Sequence, residues 1–386
     1  MMNIDSYVDA RLNQGKFRDH IYIHMSAIND SYTNNMNLQL QYSRDEAFIN
    51  NPFLYKCAIS KMTIDTYGGS MPLMMPKMLI GLDENGNTNT NVNKLAYSFT
   101  LQYYVSSTEI YEIQKYVIFI PQNTTTQPTA YVIQDVSSDY YYIYSYDYFV
   151  KLLNNTLEEC YDALNGAVTG GISSYAPFLS LADNILIFNG DKTKYDLNLT
   201  TPRIKIFCNT PMYELLNGFQ WNKQSIIADG KNYQLNLTSE NSNTLSLDNY
   251  DALTQLQIYS SLSNWNPVQS IVITTNNIPI ESQMMAPLQI LEPKQVYNDG
   301  NKQSLNILTN LDVDLTDNPT GYLPQISYGT SNNYRFVDLK NALSFNNIDI
   351  SVYWLDHYQR LHPMFLAPQA KASIDLVFVN RNVIIN

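Results

Sequence analysis

Asp356, His357, Arg360 and His362 fall within seven positions of a 386-residue chain that holds four histidines in all. An Asp–His couple can orient an imidazole for proton transfer, the arrangement of many hydrolytic sites. Two histidines are also a beginning of a zinc site, which needs three or four ligands. The spacing serves neither purpose well. His357 and His362 are five apart, which matches neither one face of a strand nor one face of a helix. His20 and His24 are four apart but lie in "HIYIHMS", an alternating β-branched run. On a strand they share a side and sit too far apart to hold one ion. GxSxG and HExxH are absent, and no cysteine has a histidine near it in sequence. "LDENGNTNTNVNK" (82–94) alternates Asp83, Asn85 and Asn87 like a calcium loop, yet its glycine is misplaced and its twelfth position is Lys94. Asn85-Gly86 fits a hairpin turn better. Glu158-Glu159 and Asp312/Asp314 suit the wet faces of a helix and a strand. No catalytic residue, metal or cofactor is expected, and an Asp356/His357 hydrolase is the reading set aside.

The elements that carry the four polar groups are strands. Ile348, Ile350, Val352 and Trp354 alternate with Asp349, Ser351 and Tyr353, which predicts one buried face running into Asp356-His357. Pro363 and Pro368 then mark an edge or loop. Asp356 to His362 is therefore expected to be a polar, wet connection between strands. Period-2 alternation recurs near both ends of the chain. Met36, Leu38, Leu40 and Tyr42 share a face, as do Leu305, Ile307, Thr309, Leu311, Val313 and Leu315. Strands are also expected over 53–66, over 268–280, buried on both faces, and over 372–381. Such strands, separated by Asn, Gly and Pro, indicate an all-β sandwich or barrel.

The middle differs. Residues 145–166 place Phe149, Leu152, Leu153, Leu157, Cys160 and Leu164 at helical spacing, with Asp147 as a candidate cap and Asn165-Gly166 as a stop. Tyr-rich strands surround it. The expected organisation is a discontinuous base domain, residues 1–84 plus 201–386, carrying an inserted α+β or mostly β domain at 85–200. The boundary after the insert is expected near Pro202 or Pro211. Insertions of this kind are tolerated at loops.

Composition narrows the function. Hydrophobic residues make up 45% of the chain and charged residues only 15%. With 23 basic against 35 acidic residues the net charge is -12. That argues against binding nucleic acid through phosphate contacts. Cys57, Cys160 and Cys208 are few, scattered and without CxxC, so neither a disulfide framework nor a zinc cluster is expected. The polar opening of the chain does not resemble a signal peptide, and no apolar run reaches the ~18 residues of a membrane span. Asn, about one residue in nine, and 31 tyrosines give the alphabet of an AT-rich genome. Within it, Tyr140, Tyr141, Tyr142, Tyr144 and Tyr146 form a candidate recognition surface, since tyrosine suits contact and sugar stacking.

The last third of the chain resembles the penton (vertex, minor capsid) proteins of virophages and Polinton-like viruses. The likeness rests on "YR-x-x-DL" (Tyr334, Arg335, Asp338, Leu339) and on "IDI-x-V-Y-W-x-D" (Ile348, Asp349, Ile350, Trp354, Asp356), followed by a Pro-bounded turn and a last strand. "PMYELLNGFQW" (211–221) is similar to a mid-chain "LLGF" segment of that family, interrupted by Asn217. The likeness spans about 205–381, and the alphabet suits a Sputnik-type virophage. It implies a single jelly-roll base, a homopentamer at an icosahedral vertex, and double jelly-roll major capsid proteins as neighbours. It also implies residence in the virion after assembly in the host cytoplasm, with the insert projecting. A receptor- or glycan-binding spike carried by the Tyr-rich insert is the alternative.

Overall fold

The computed structural model describes residues 19–66, 71–77, 79, 93–120, 143, 145–224, 230–247, 250–281, 288–290, 302–303, 306–312, 325–329, 334–340, 343–357 and 359–382. The chain divides into two compact units. The first takes Met1–Pro72, Pro267–Leu315 and Tyr322–Asn386; the second takes Leu73–Asn266 with Thr316–Gly321.

The first unit opens with β1 (His20–Ile28), β2 (Gln39–Ser43) and β3 (Tyr55–Asp65). The second supplies β4 (Lys94–Tyr104), β5 (Ile110–Ile118), α1 (Tyr146–Ala167), β6 (Phe178–Ala182), β7 (Ile185–Asp191) and β8 (Arg203–Cys208). It continues through α2 (Thr210–Leu216), β9 (Trp221–Lys223), β10 (Tyr233–Leu235), β11 (Asn243–Leu247) and β12 (Tyr250–Leu256). The chain then returns to the first unit with β13 (Val268–Thr275), β14 (Asn306–Asp312), β15 (Gln325–Gly329), β16 (Asn347–Asp356), β17 (Arg360–Pro363) and β18 (Lys371–Asn380).

In the first unit the two ends of the chain interleave. One sheet runs β1-β18-β3-β15, so the last strand lies between the first and the third. The pairing of β1 with β18 runs from His20↔Val379 to Ile28↔Lys371 without a break. The other sheet runs β2-β16-β13-β14, with β17 on the same edge of β16 as β2. Counting only the eight long strands of this unit, the orders are 1-8-3-6 and 2-7-4-5. Alternation explains the burial: Ile23, Met25, Ile374 and Phe378 from the first sheet, and Leu40, Ile271, Ile350 and Trp354 from the second, are all buried. Asp349 and Ser351 are buried as well, so β16 is covered on both faces and not on the one that its pattern suggests.

The second unit holds two sheets, β9-β10-β8-β4-β5 and β11-β12-β7-β6, with α1 packed against β4, β5 and β6. The six apolar residues expected on the helix are all buried. Ser145, and not Asp147, caps α1, accepting a hydrogen bond from Tyr148 N. Here the expected boundary moves. β8 pairs with β4 from Phe99↔Cys208 to Tyr104↔Arg203, and β12 pairs with β7, so residues 201–266 complete the insert's sheets. Pro211 is no linker: it occupies the first turn of α2, where its missing N–H costs nothing, behind the Asn209 cap.

This partition makes a prediction. Residues 73–266 expressed alone unfold cooperatively in urea, whereas 85–200 alone does not, because β4 loses β8 and Phe99 and Leu101 lose their cover. Equal cooperativity of the two fragments contradicts the boundary.

Candidate functional site

The polar cluster singled out at the start is a buried hairpin clamp. β16 and β17 pair with Tyr353↔Pro363, Trp354↔His362 and Leu355↔Leu361, so the turn centres between Asp356 and Arg360. Gln359 takes a positive φ of 62° and its N–H donates to Asp356 O. The Asp356 carboxylate then closes the turn. Its Oδ1 accepts from Arg360 N at 2.9 Å and its Oδ2 accepts from Arg360 Nε at 2.7 Å. His362 Nε2 reaches the same Oδ2 at 2.9 Å. The imidazole lies flat on the Trp354 ring, with centroids 3.8 Å apart and planes 7° apart. Asp356 and His362 are each only 1% exposed, so the expected wet turn is dry where it matters. Burial holds the His362 imidazole below its usual range, against the upward pull of the Asp356 hydrogen bond and charge.

The arrangement does not bring together the Asp356–His357 couple expected of a proton relay. His357, the partner that a proton relay would have used, is exposed on the turn. Ser270, a buried hydroxyl, pairs with Leu355 and so points to the opposite face of the sheet from Trp354 and His362. Burial pushes the Cys57 and Cys208 thiols well up and the Cys160 thiol up to about 12, which leaves them protonated. Among the described residues no three His, Cys, Asp or Glu side chains are placed to hold a metal ion. Nor is any helix there long and apolar enough to cross a membrane.

A second buried carboxylate works at the other end of β16. Asp349 accepts from Thr275 Oγ1 at 2.8 Å, from Asn276 N at 2.9 Å and from Asn277 N at 2.6 Å. It thereby fixes the turn that follows β13. Three donors satisfy a charge that would otherwise be costly to bury. The other residues of the resemblance are also structural. Tyr334 packs beside Ala58, Val377 and Val379; Arg335 donates to Asn310 O at 3.4 Å; Asp338 pairs with Arg381 at 3.4 Å; Leu339 is fully buried.

Of the five tyrosines of the expected recognition surface, the structure describes Tyr146. Tyr146 is 5% exposed in the first turn of α1, edge-on to Trp265 and with its hydroxyl donating to Leu262 O. It faces the core because the apolar stripe of α1 begins there. Tyr140, Tyr141, Tyr142 and Tyr144 lie outside the described residues. Pairing arithmetic is the signal that would have found the clamp: a hairpin centred on 358 sets 354 against 362 and 356 against 360.

Removing the shared acceptor takes a partner from Arg360 and from His362 at once. Asp356→Ala should therefore lower unfolding stability by about 3–5 kcal/mol, while His357→Ala should change it by less than about 0.5 kcal/mol. Comparable losses in urea melts of the two variants would show that the cluster is not a clamp.

Comparison with known proteins places the chain among capsid proteins. The family described as Sputnik minor capsid protein V18/19 matches residues 21–380. Structural protein V19 of Sputnik virophage is 24% identical over 201 residues, 49% of this chain and 86% of that protein. A chain from the 3.5 Å cryo-EM structure of the Sputnik virophage superposes with a TM-score of 0.72 at 21% identity, covering 95% of this chain and 99% of that one. The mavirus penton protein crystal structure gives 0.59 at 16% identity, covering 94% and 99%. Those two likenesses are of fold. The family match, which takes in nearly all of both units, places this chain in the Sputnik minor capsid protein V18/19 family.

Proposed function

We propose that this capsid protein forms the five-fold vertex of an icosahedral virion and transforms no substrate. The interleaved order of the first unit, 1-8-3-6 facing 2-7-4-5, carries this reading. That order supports reading the first unit as a single jelly roll, a shell-building sandwich, and the likeness to the mavirus penton protein supports the same role. Five copies close a ring around the vertex. In a ring each contact is heterologous, so two different surfaces of one copy match each other. The neighbours of the ring are double jelly-roll major capsid proteins. Assembly takes place in the host cytoplasm.

With 15% charged residues, the ring is held by apolar and aromatic anchors and not by ion pairs. The mass of the purified protein in solution tests this, alone and mixed with the major capsid protein. A five-copy species is expected, or one that appears on mixing, and it persists as salt is raised from ~0.1 to ~1 M. A monomer under all these conditions, or a ring that falls apart in moderate salt, contradicts the proposal.

A further inference from the structure

His362 is set where a second proton has no place to go. The Asp356 carboxylate can only accept, so His362 Nε2 carries the ring's hydrogen and Nδ1 is left as a bare lone pair. Nδ1 is buried without a hydrogen-bond partner. One face of the ring is closed by Trp354. The charged groups facing it are Asp356 on β16 and Arg360 on β17. β13, paired with β16 at this end, brings Val268, Gln269 and Ser270, none of them charged. The strand Leu288–Ile290, parallel to β17, is also uncharged. One carboxylate therefore serves two nitrogen bases, and only one of them can be cationic while the site stays closed.

We infer that the β16–β17 hairpin is an acid-sensitive latch, closed while His362 is neutral and opened when the ring takes a second proton. Protonation creates an N–H at Nδ1 with no acceptor and adds a second cation beside Arg360 in an enclosed space. Both are relieved if β17 lifts from β16 and lets water reach the ring. The direction of the pH dependence follows. The unfolded chain takes the proton near pH ~6.5, whereas burial disfavours it in the folded chain. Stability is full above that pH, declines as pH falls through it, and levels off once the folded ring also titrates. This inference does not rest on the five-fold reading, because it concerns one copy.

The test is urea unfolding of the full chain at pH values from ~7.5 to ~4.5 for the wild type, His362→Gln and His24→Gln. Glutamine keeps an N–H donor for Asp356 and cannot titrate. His24 is a control that bonds Asp375 across β1 and β18. The wild type and His24→Gln should show a falling urea midpoint below pH ~6.5, and His362→Gln should show a flat one. The same fall in His362→Gln, or no fall in the wild type, overturns the latch. Should His362→Gln not fold, imidazole NMR titration of the wild type decides. One imidazole must titrate below the usual histidine range, and hydrogen exchange at Arg360 and Leu361 must rise with its protonation. The absence of such an imidazole, or no change in exchange, overturns the latch equally.

Discussion

The first unit depends on the position of its last strand. β18 carries Lys371–Asn380 between β1 and β3, so the first sheet cannot close until nearly the whole chain is present. Without β18, β1 has no strand partner among the described residues, and Ile23 and Met25 lose their cross-strand neighbours Leu376 and Ile374. This is a fold of long sequence separations, which folds slowly for the stability it gains. The long segment of the second unit, Leu73–Asn266, lies inside one connection of the first, between β3 and β13. Loop closure grows costlier only with the logarithm of length, so a connection of this size is tolerable once the inserted unit folds on itself.

β16 plays the corresponding part in the second sheet, pairing with β2, β13 and β17. A buried carboxylate stands near each of its ends. Asp349 holds the turn after β13, and Asp356 holds the turn into β17. Both accept backbone N–H groups that a sheet cannot satisfy where it stops. A buried charge is a poor source of net stability, yet removing one partner from such a set is costly. These acids therefore fix where the strand ends and which way each turn leaves it. The "IDI-x-V-Y-W-x-D" pattern is thus a fold signature: acids at the ends and a tryptophan platform for His362. Those turns must hold their shape if the sandwich is a building block.

Much of this was legible in the residues. Strict alternation identified the terminal strands, and helical spacing identified α1, because each period reports the one face that is buried. The end of the insert was not legible. Residues 203–256 alternate much as the base strands do, and Pro211 looks the same in a linker as in the first turn of a helix. The cap of α1 was misplaced by two residues because Ser145 and Asp147 are both good caps, and only backbone geometry chooses between them. The clamp was hidden for another reason. Distance along the chain, taken as if on one strand or one helix, sets its members apart. A hairpin converts that distance into cross-strand adjacency, which brings Asp356 to His362 and leaves His357 outside. Composition marks tyrosine as a surface residue, whereas the place of Tyr146 on the apolar stripe of α1 sends it inward.

Both ends of the chain close one sandwich, and native-state hydrogen exchange measures that most directly. The amides of β1 that donate to β18 should open with the same free energy as those joining β18 to β3, and that value should equal the stability of the first unit. If β1 instead opens separately at much lower free energy while β3 and β18 stay protected, the first strand is an appendage and the interleaved closure is wrong.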